Sequence, residues 1–306
     1  MARTTTIPGP GARQSEQRIH PKMTEPRHTI ALLHPGEMGA AIGACLVGSG
    51  YRVVWDSTGR SLPTRARAKS AGLEDLASLD RVLSAATVVL SVCPPHGALE
   101  LARLVARKGF TGIYVDANAV SPETARETCR SAEAAGATFV DGGIIGSPPA
   151  KGTRSRLYLA GRRATEIGAL FAGTDMDAIP LDGPIGAASA LKVCYAAWTK
   201  GATALLAAIR TLARQHGVET ALLEEWKLSQ PELPRRSEVV STTARKAWRW
   251  IAEMEEIAAS FGAAGLPDGF HLAAAEMYRR LEKFKDYAAP PPLAEVLDAL
   301  QRGPER

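Results

Sequence analysis

Cysteine is scarce: the chain of 306 residues has four, Cys45, Cys93, Cys129 and Cys194, and no two form a C-x-x-C pair. A disulfide framework and a thiolate zinc site are therefore not expected, and the four read as reduced, buried small hydrophobes of a cytoplasmic protein. Long apolar runs are missing too. No stretch of about 18 apolar residues occurs, so a membrane partner is not expected. The opening "MARTTTIPGPGARQ" lacks the apolar segment of a secretory signal, and residues 1–26 read as a disordered tail. The net charge of +5 comes from scattered lysines and arginines, without a basic run interleaved with aromatics. Nucleic acid is accordingly not an expected partner.

What is present is alternation. From His28 onward, short β-like runs at 29–33, 52–55, 87–92, 112–116, 137–143, 156–160 and 176–181 alternate with helical segments. Several runs are continuously apolar, as strands of a sheet covered on both faces require. The clearest helix start is "NAVSPETARETC", with Ser121 as cap, Pro122 in the first position and Glu123 in the first turn. Such a pattern predicts an α/β fold, a Rossmann-type, doubly wound and mostly parallel sheet over residues 27–183. After Gly186 the strand signal ends. Residues 187–216 hold neither proline nor a turn cluster, which predicts one long interdomain helix of roughly 45 Å at 1.5 Å per residue. It leads into an all-α C-terminal domain over residues 184–306.

The first βα turn reads His34-Pro35-Gly36-Glu37-Met38-Gly39. This is the dinucleotide fingerprint G-x-G-x-x-G with histidine in the first glycine slot. Gly36 stands where backbone must approach a pyrophosphate, and Gly39 where helix and strand pack closely. The helix behind them offers free N–H groups to phosphate. At the end of the second run, Asp56 follows Gly36 by twenty residues, the spacing of an acid that holds the ribose hydroxyls of NAD. Ser57, Thr58, Arg60 and Ser61, with Arg65 and Arg67 nearby, are donors suited to a 2′-phosphate. The two signals conflict. An acid turns outward more easily than a serine–arginine loop avoids a phosphate, so NADP is favoured and NAD is the alternative.

One lysine, Lys192, interrupts an alanine-rich helix in "GAASALKVCYAAW". Tyr195 shares roughly its face at i+3 and offers a hydroxyl. Thr199, one turn further, is counted with the substrate-facing residues. Trp248 and Trp250 are candidate walls of an apolar substrate pocket, and His271 is a candidate to enter it from the C-terminal domain.

Together these segments resemble the β-hydroxyacid dehydrogenase and 6-phosphogluconate dehydrogenase superfamily, as a branch with its own helical C-terminal domain. "LLHPGEMG" resembles the family's G-L-G-x-M-G turn, and "LSVCPPHGAL" its cofactor-contacting loop, which places Val92, Cys93 and Pro94 against the dinucleotide. "VDANAVSPETA" resembles D-x-S-T-x-S-P and puts Asn118 near the nicotinamide and substrate. "VDGGIIGSPPAKGT" resembles the substrate-binding turn, with Gly146 and Ser147 in its later positions. "GAASALKVCYAA" resembles the segment whose lysine is the catalytic acid/base, and Lys246 resembles a lysine near the nicotinamide. Two departures stand out. Ala196 takes the place of the family's asparagine, and the substrate turn keeps one glycine in register.

The resemblance implies an NAD(P)-dependent oxidoreductase acting on a small hydroxy acid or carbonyl compound, working as a homodimer, with Lys192 as general acid/base. An imine reductase-like enzyme with Tyr195 as acid and a non-catalytic NAD(P)-binding sensor are the alternatives.

Overall fold

The computed structural model describes residues 28–153 and 155–302; the expected tail at 1–26 lies outside them. Eight strands form one sheet: β1 (Thr29–Leu33), β2 (Arg52–Trp55), β3 (Glu74–Asp75), β4 (Val88–Ser91), β5 (Ile113–Asp116), β6 (Thr138–Ile145), β7 (Ser155–Ala160) and β8 (Met176–Pro180). Their spatial order is β3-β2-β1-β4-β5-β6-β7-β8. Every neighbouring pair is parallel except β6–β7. All seven runs read from the sequence are strands. The two-residue edge strand β3 is an addition, since its Glu-Asp pair carries no strand propensity.

Burial follows the two-residue period of the strands. Ile30, Leu32, Val53, Leu90 and Val115 point into one core layer, and their neighbours Ala31, Leu33, Val54, Val89 and Tyr114 point into the other. Both faces are covered, which is why these strands are apolar throughout. The covering helices are α1 (Glu37–Gly48), α2 (Leu62–Ser70), α3 (Leu79–Ala85), α4 (Ala98–Arg107), α5 (Pro122–Ala134) and α6 (Ala164–Ala169). The start of α5 is the one read from sequence: Thr124 N donates to Ser121 Oγ at 3.1 Å, with Pro122 in the first position.

Beyond the sheet, α7 (Ala187–Gln215) is a single helix of 29 residues. It is followed by α8 (Glu219–Ser229), α9 (Leu233–Thr243), α10 (Trp248–Ala263), α11 (Gly269–Arg279) and α12 (Leu293–Arg302), with no strand among the described residues after β8. Val193, Ala196, Ala204 and Ala207 of α7 join Met254, Ile257, Ala274, Tyr278 and Leu300 in a separate core. Small residues on α7 let these helices pack closely around it.

Two features locate the site. The sheet order reverses between β1 and β4, the crevice where open α/β sheets bind ligands at the carboxyl ends of their strands. Register aligns those ends: Leu33 is opposite Ser91, Ser91 opposite Asp116, and Asp116 opposite Asp141. The antiparallel return of β7 then carries the 146–153 turn back to the same edge.

Candidate active site

The glycine turn begins with a strained residue. His34 sits at φ 68, a left-handed conformation that costs a non-glycine residue about 1–2 kcal/mol but that histidine adopts more readily than most. Histidine therefore supplies the geometry that the first glycine of the fingerprint supplies elsewhere. Burial, helped by Arg60, pushes the His34 imidazole down to about 4, so it is neutral at physiological pH. Gly39 is required by contact: a Cβ there would lie 2.6 Å from the His34 carbonyl oxygen. Gly36 faces open space, with nothing within 4 Å of a built Cβ. That is the approach a pyrophosphate needs, in front of the N-terminus of α1.

The second wall comes from β4 and β5. Asn118 is buried; its Oδ1 accepts from Cys93 N at 2.5 Å and its Nδ2 donates to Ser91 Oγ at 2.9 Å. Its own N–H donates to Asp116 Oδ1 at 2.9 Å. This network fixes the Val92–Pro94 loop. Burial, with a smaller contribution from the Asp141 carboxylate, pushes the Asp116 carboxyl up to about 7. Burial likewise pushes the Cys93 thiol up to about 12, which makes it an inert wall rather than a nucleophile.

The third wall is α7, anchored by the sheet itself. Asp141 in β6 accepts N–H donors from Gly186 (2.9 Å), Ala188 (2.9 Å) and Ser189 (3.2 Å), and the Ser189 hydroxyl at 2.6 Å. A carboxylate at a helix N-terminus satisfies its free donors and complements its dipole. Gly143 completes the seat: a Cβ there would lie 2.5 Å from the Ala188 carbonyl oxygen and 3.2 Å from Lys192 Cβ. Lys192 is thus held hard against β6.

Of the residues expected at the site, Gly36, Glu37, Met38, Gly39, Val92, Cys93, Pro94, Asn118, Gly146 and Lys192 line one cavity of about 490 Å³ between the two domains. Trp248, Trp250 and Arg67 line it as well. His34 and Pro35, the first two residues of the turn, are not among the cavity's lining residues. Asp56, Ser57, Thr58 and Arg60 lie off the cavity wall, in a loop that holds itself. Thr58 N donates to Asp56 Oδ1 at 2.9 Å, Ser57 N to Asp75 Oδ1 at 3.2 Å, and the Thr58 hydroxyl to Ala77 O at 3.1 Å.

Other expected residues are not brought to the cavity. Tyr195 is 44% exposed on the outer side of α7. Thr199 spends its hydroxyl on the Tyr195 carbonyl at 3.0 Å. A residue three or seven positions after Lys192 stays within about 60° or 20° of its line, so helix spacing alone does not exclude either one; neither lines the cavity. Ser147 is exposed, and its carbonyl accepts the Ser155 hydroxyl. Lys246 stands at the rim, its ammonium 3.9 Å from Glu37. His271 is buried in a different place, against Gly201 and Phe261.

The sequence reading missed Lys200 and Glu253. Glu253, buried on α10, contacts Lys200 Nζ through Oε2 and lies 3.6 Å from Lys192 Nζ through Oε1. Burial pushes its carboxyl up, but the two lysines outweigh that and hold it below the usual carboxylate range. Burial pushes the Lys200 amine down to about 8 against the opposing pull of Glu253. The signal available in sequence was the spacing of Lys192 and Lys200, eight residues or two turns apart on one face. Arg249 was missed as well; it pairs with Glu37 at 3.0 Å. No cluster of His, Cys, Asp and Glu fit to hold a metal ion occurs among the described residues.

The fold has known counterparts. The solved structure of the conserved protein MTH1747, of unknown function and described as similar to 3-hydroxyacid dehydrogenases, matches with a TM-score of 0.64 and 29% identity over 84% of this chain and 99% of that one. The chain has a hydroxyacid dehydrogenase-like fold. A 3-hydroxyisobutyrate dehydrogenase from Mycobacterium tuberculosis matches this fold with a TM-score of 0.65 at 20% identity, over 90% of this chain and 99% of its own. A reductive aminase from Aspergillus terreus, solved with NADPH and ethyl levulinate, matches with a TM-score of 0.54 at 16% identity, over 89% and 98% of the two chains. In the helical domain of this hydroxyacid dehydrogenase-like chain, residues 213–281 match a family described as a domain of unknown function, DUF1932. An uncharacterised 28.5 kDa protein from Methanothermus fervidus is 29% identical over 169 residues, 54% of this chain. The present chain spans 63% of that relative's length.

Proposed function

We propose that this protein is an NAD(P)-dependent oxidoreductase that moves a hydride between the cofactor, NADP in preference to NAD, and a small hydroxy acid or carbonyl compound. The observation that carries this reading is that the Lys192 ammonium and the glycine turn open onto one cavity. The chain's residues fit a dinucleotide. Gly36 leaves room for a pyrophosphate, α1 offers its N-terminal donors, and Arg67 Nε is buried without a partner. Asn118 and the Val92–Pro94 loop would flank the nicotinamide. The preference for NADP is supported by the turning of Asp56 onto its own loop beside Arg60, whose carbonyl is fixed by Arg65 Nε at 3.1 Å.

The dinucleotide, when bound, supplies or accepts the hydride at the substrate carbon. Lys192 donates a proton to the substrate oxygen as negative charge grows there, and takes it back in the oxidative direction. Trp248 and Trp250 exclude water from one side, and Glu253 offsets one of the two positive charges at the lysine end of the cavity. Tyr195 is not proposed as the acid, because its side chain lies outside the cavity.

A homodimer is also proposed. Trp198, Leu205 and Phe270, 62%, 61% and 74% exposed, border an apolar groove of about 620 Å³ between α7 and α11. Exposed apolar surface of this kind marks contact with another chain.

The test is NADPH oxidation against a panel of 2-oxo acids, aldehydes and cyclic imines. Lys192→Ala is expected to lower the rate on an active substrate by about 100-fold or more. A loss within about tenfold removes Lys192 from its role. Tight NADPH binding with no turnover on any panel member makes the chain a sensor instead.

A further inference from the structure

Lys192 does not own its counter-ion. Lys192, Ala196 and Lys200 are spaced four residues apart, so they stand one above another along a single face of α7. The Glu253 carboxylate enters from α10 between the two lysines, one oxygen toward each. Ala196, the residue in place of the family asparagine, is 1% exposed and lies between them with no side chain to contest that space.

Geometry singles out Lys200 as the stronger claimant. Its ammonium contacts Glu253 Oε2 directly and lies 5.3 Å from the centre of the Trp250 ring. Its carbonyl accepts the Tyr278 hydroxyl at 2.6 Å, which pins that turn of α7 to α11. Lys192 sits farther off, facing an oxygen that has no hydrogen-bond partner.

We propose that Lys200 is a positioning residue that sets the proton affinity of Lys192 by competing with it for Glu253. With Lys200 in place, the carboxylate is largely spent, and Lys192 feels a weak partner together with a neighbouring positive charge. The other groups near this cluster do not supply a second counter-ion. Asp141 is committed to the start of α7, Asp116 lies behind Asn118, and Tyr278 spends its hydroxyl on Lys200. His96 and Cys93 line the cavity but carry no negative charge toward the lysines, and burial lowers the proton affinity of the His271 imidazole near Gly201.

The proposal rests on Lys192 as the proton carrier, and its test has a readout that needs no turnover. Trace labelling with acetic anhydride, quantified for each lysine by mass spectrometry across pH, measures the neutral amine at Lys192. In Lys200→Met, Glu253 passes to Lys192, and the neutral fraction at fixed pH is expected to fall about tenfold, one pKa unit upward. In Glu253→Gln it is expected to rise by a similar factor. Lys200→Arg keeps the charge and is expected to stay within about threefold of the parent. Opposite signs from two substitutions at one buried pair cannot come from misfolding. Shifts of the same sign, or no shift beyond about twofold in either variant, overturn the proposal.

The pH profile of kcat/KM on an active substrate is expected to move in step with the labelling. Labelling that moves as described while no panel substrate reacts upholds the competition for Glu253 and overturns the oxidoreductase reading.

Discussion

Glu37 in the glycine turn and Arg249 in the first turn of α10 form an ion pair at 3.0 Å that spans the mouth of the cavity. Arg249 donates a hydrogen bond that holds the Glu37 carboxyl below the usual carboxylate range. A carboxylate is therefore stationed where the cofactor's phosphates would arrive, and an arginine is occupied that would otherwise meet them. Both side chains are about half exposed, so the pair itself is worth at most about 1 kcal/mol. Glu37→Gln is expected to tighten NADPH binding about two- to fivefold, and Arg249→Gln to weaken it by a similar factor. Fluorescence titration at low salt reads both. Weaker binding in Glu37→Gln would show that the carboxylate assists the cofactor.

The two glycines of the turn separate folding from binding. Gly39→Ala drives a methyl against the His34 carbonyl and is expected to cost about 1–3 kcal/mol of stability, as overpacked sites do. Gly36→Ala meets nothing in the protein. Its melting temperature should stay at the parent value while NADPH affinity falls at least about tenfold, because the added Cβ occupies the approach of the pyrophosphate. Calorimetry paired with titration decides this. Unchanged affinity in Gly36→Ala would move the phosphates elsewhere.

Asp116 gives stability a pH dependence. Its carboxyl is raised by burial to about 7 in the folded chain, above its ordinary value of 3.8. Between those values the folded state binds the extra proton, so stability falls as pH rises from about 4 to about 7 and is level above that window. The contribution is of order a few kcal/mol. Asp116→Asn, neutral at every pH, is expected to flatten the slope in a series of thermal melts. A variant with the parent's full slope would assign it to other groups.

Much of this fold was legible in the sequence, and the reason is local. Strands such as β4 and β5 are buried on both faces, Ser121-Pro122 writes its own helix start, and α7 has neither proline nor a turn cluster over 29 residues. The glycine turn and Lys192 were legible for the same reason, being contiguous motifs. What escaped depends on distance in the chain. Glu253 meets Lys192 and Lys200 across 61 and 53 residues, and Arg249 meets Glu37 across 212. No spacing rule reaches that far. Tyr195 was placed at the site because it neighbours Lys192 on a helix, whereas tertiary packing leaves that side of α7 outward.

The apolar groove between α7 and α11 makes a prediction about assembly. If a second copy covers it, Trp198→Glu combined with Leu205→Glu places charge in the contact, and the sedimentation mass is expected to fall from dimer to monomer. Both side chains are more than half exposed in the single chain, so its fold should survive. A parent that already sediments as a monomer ends the idea.

The contact of Gly143 with the Ala188 carbonyl and Lys192 Cβ bears on how such a protein can change what it accepts. A helix seated on a strand without room for one methyl group cannot slide or tilt to suit a bulkier molecule. The wall that carries Lys192 is therefore the rigid part of the cavity. Accommodation has to come from elsewhere on the wall, where Trp248, Arg249, Trp250 and Ala252 at the start of α10 line the cavity. A library confined to Trp248 and Ala252 varies that wall without touching the Glu37–Arg249 pair or the Trp250 ring beside Lys200.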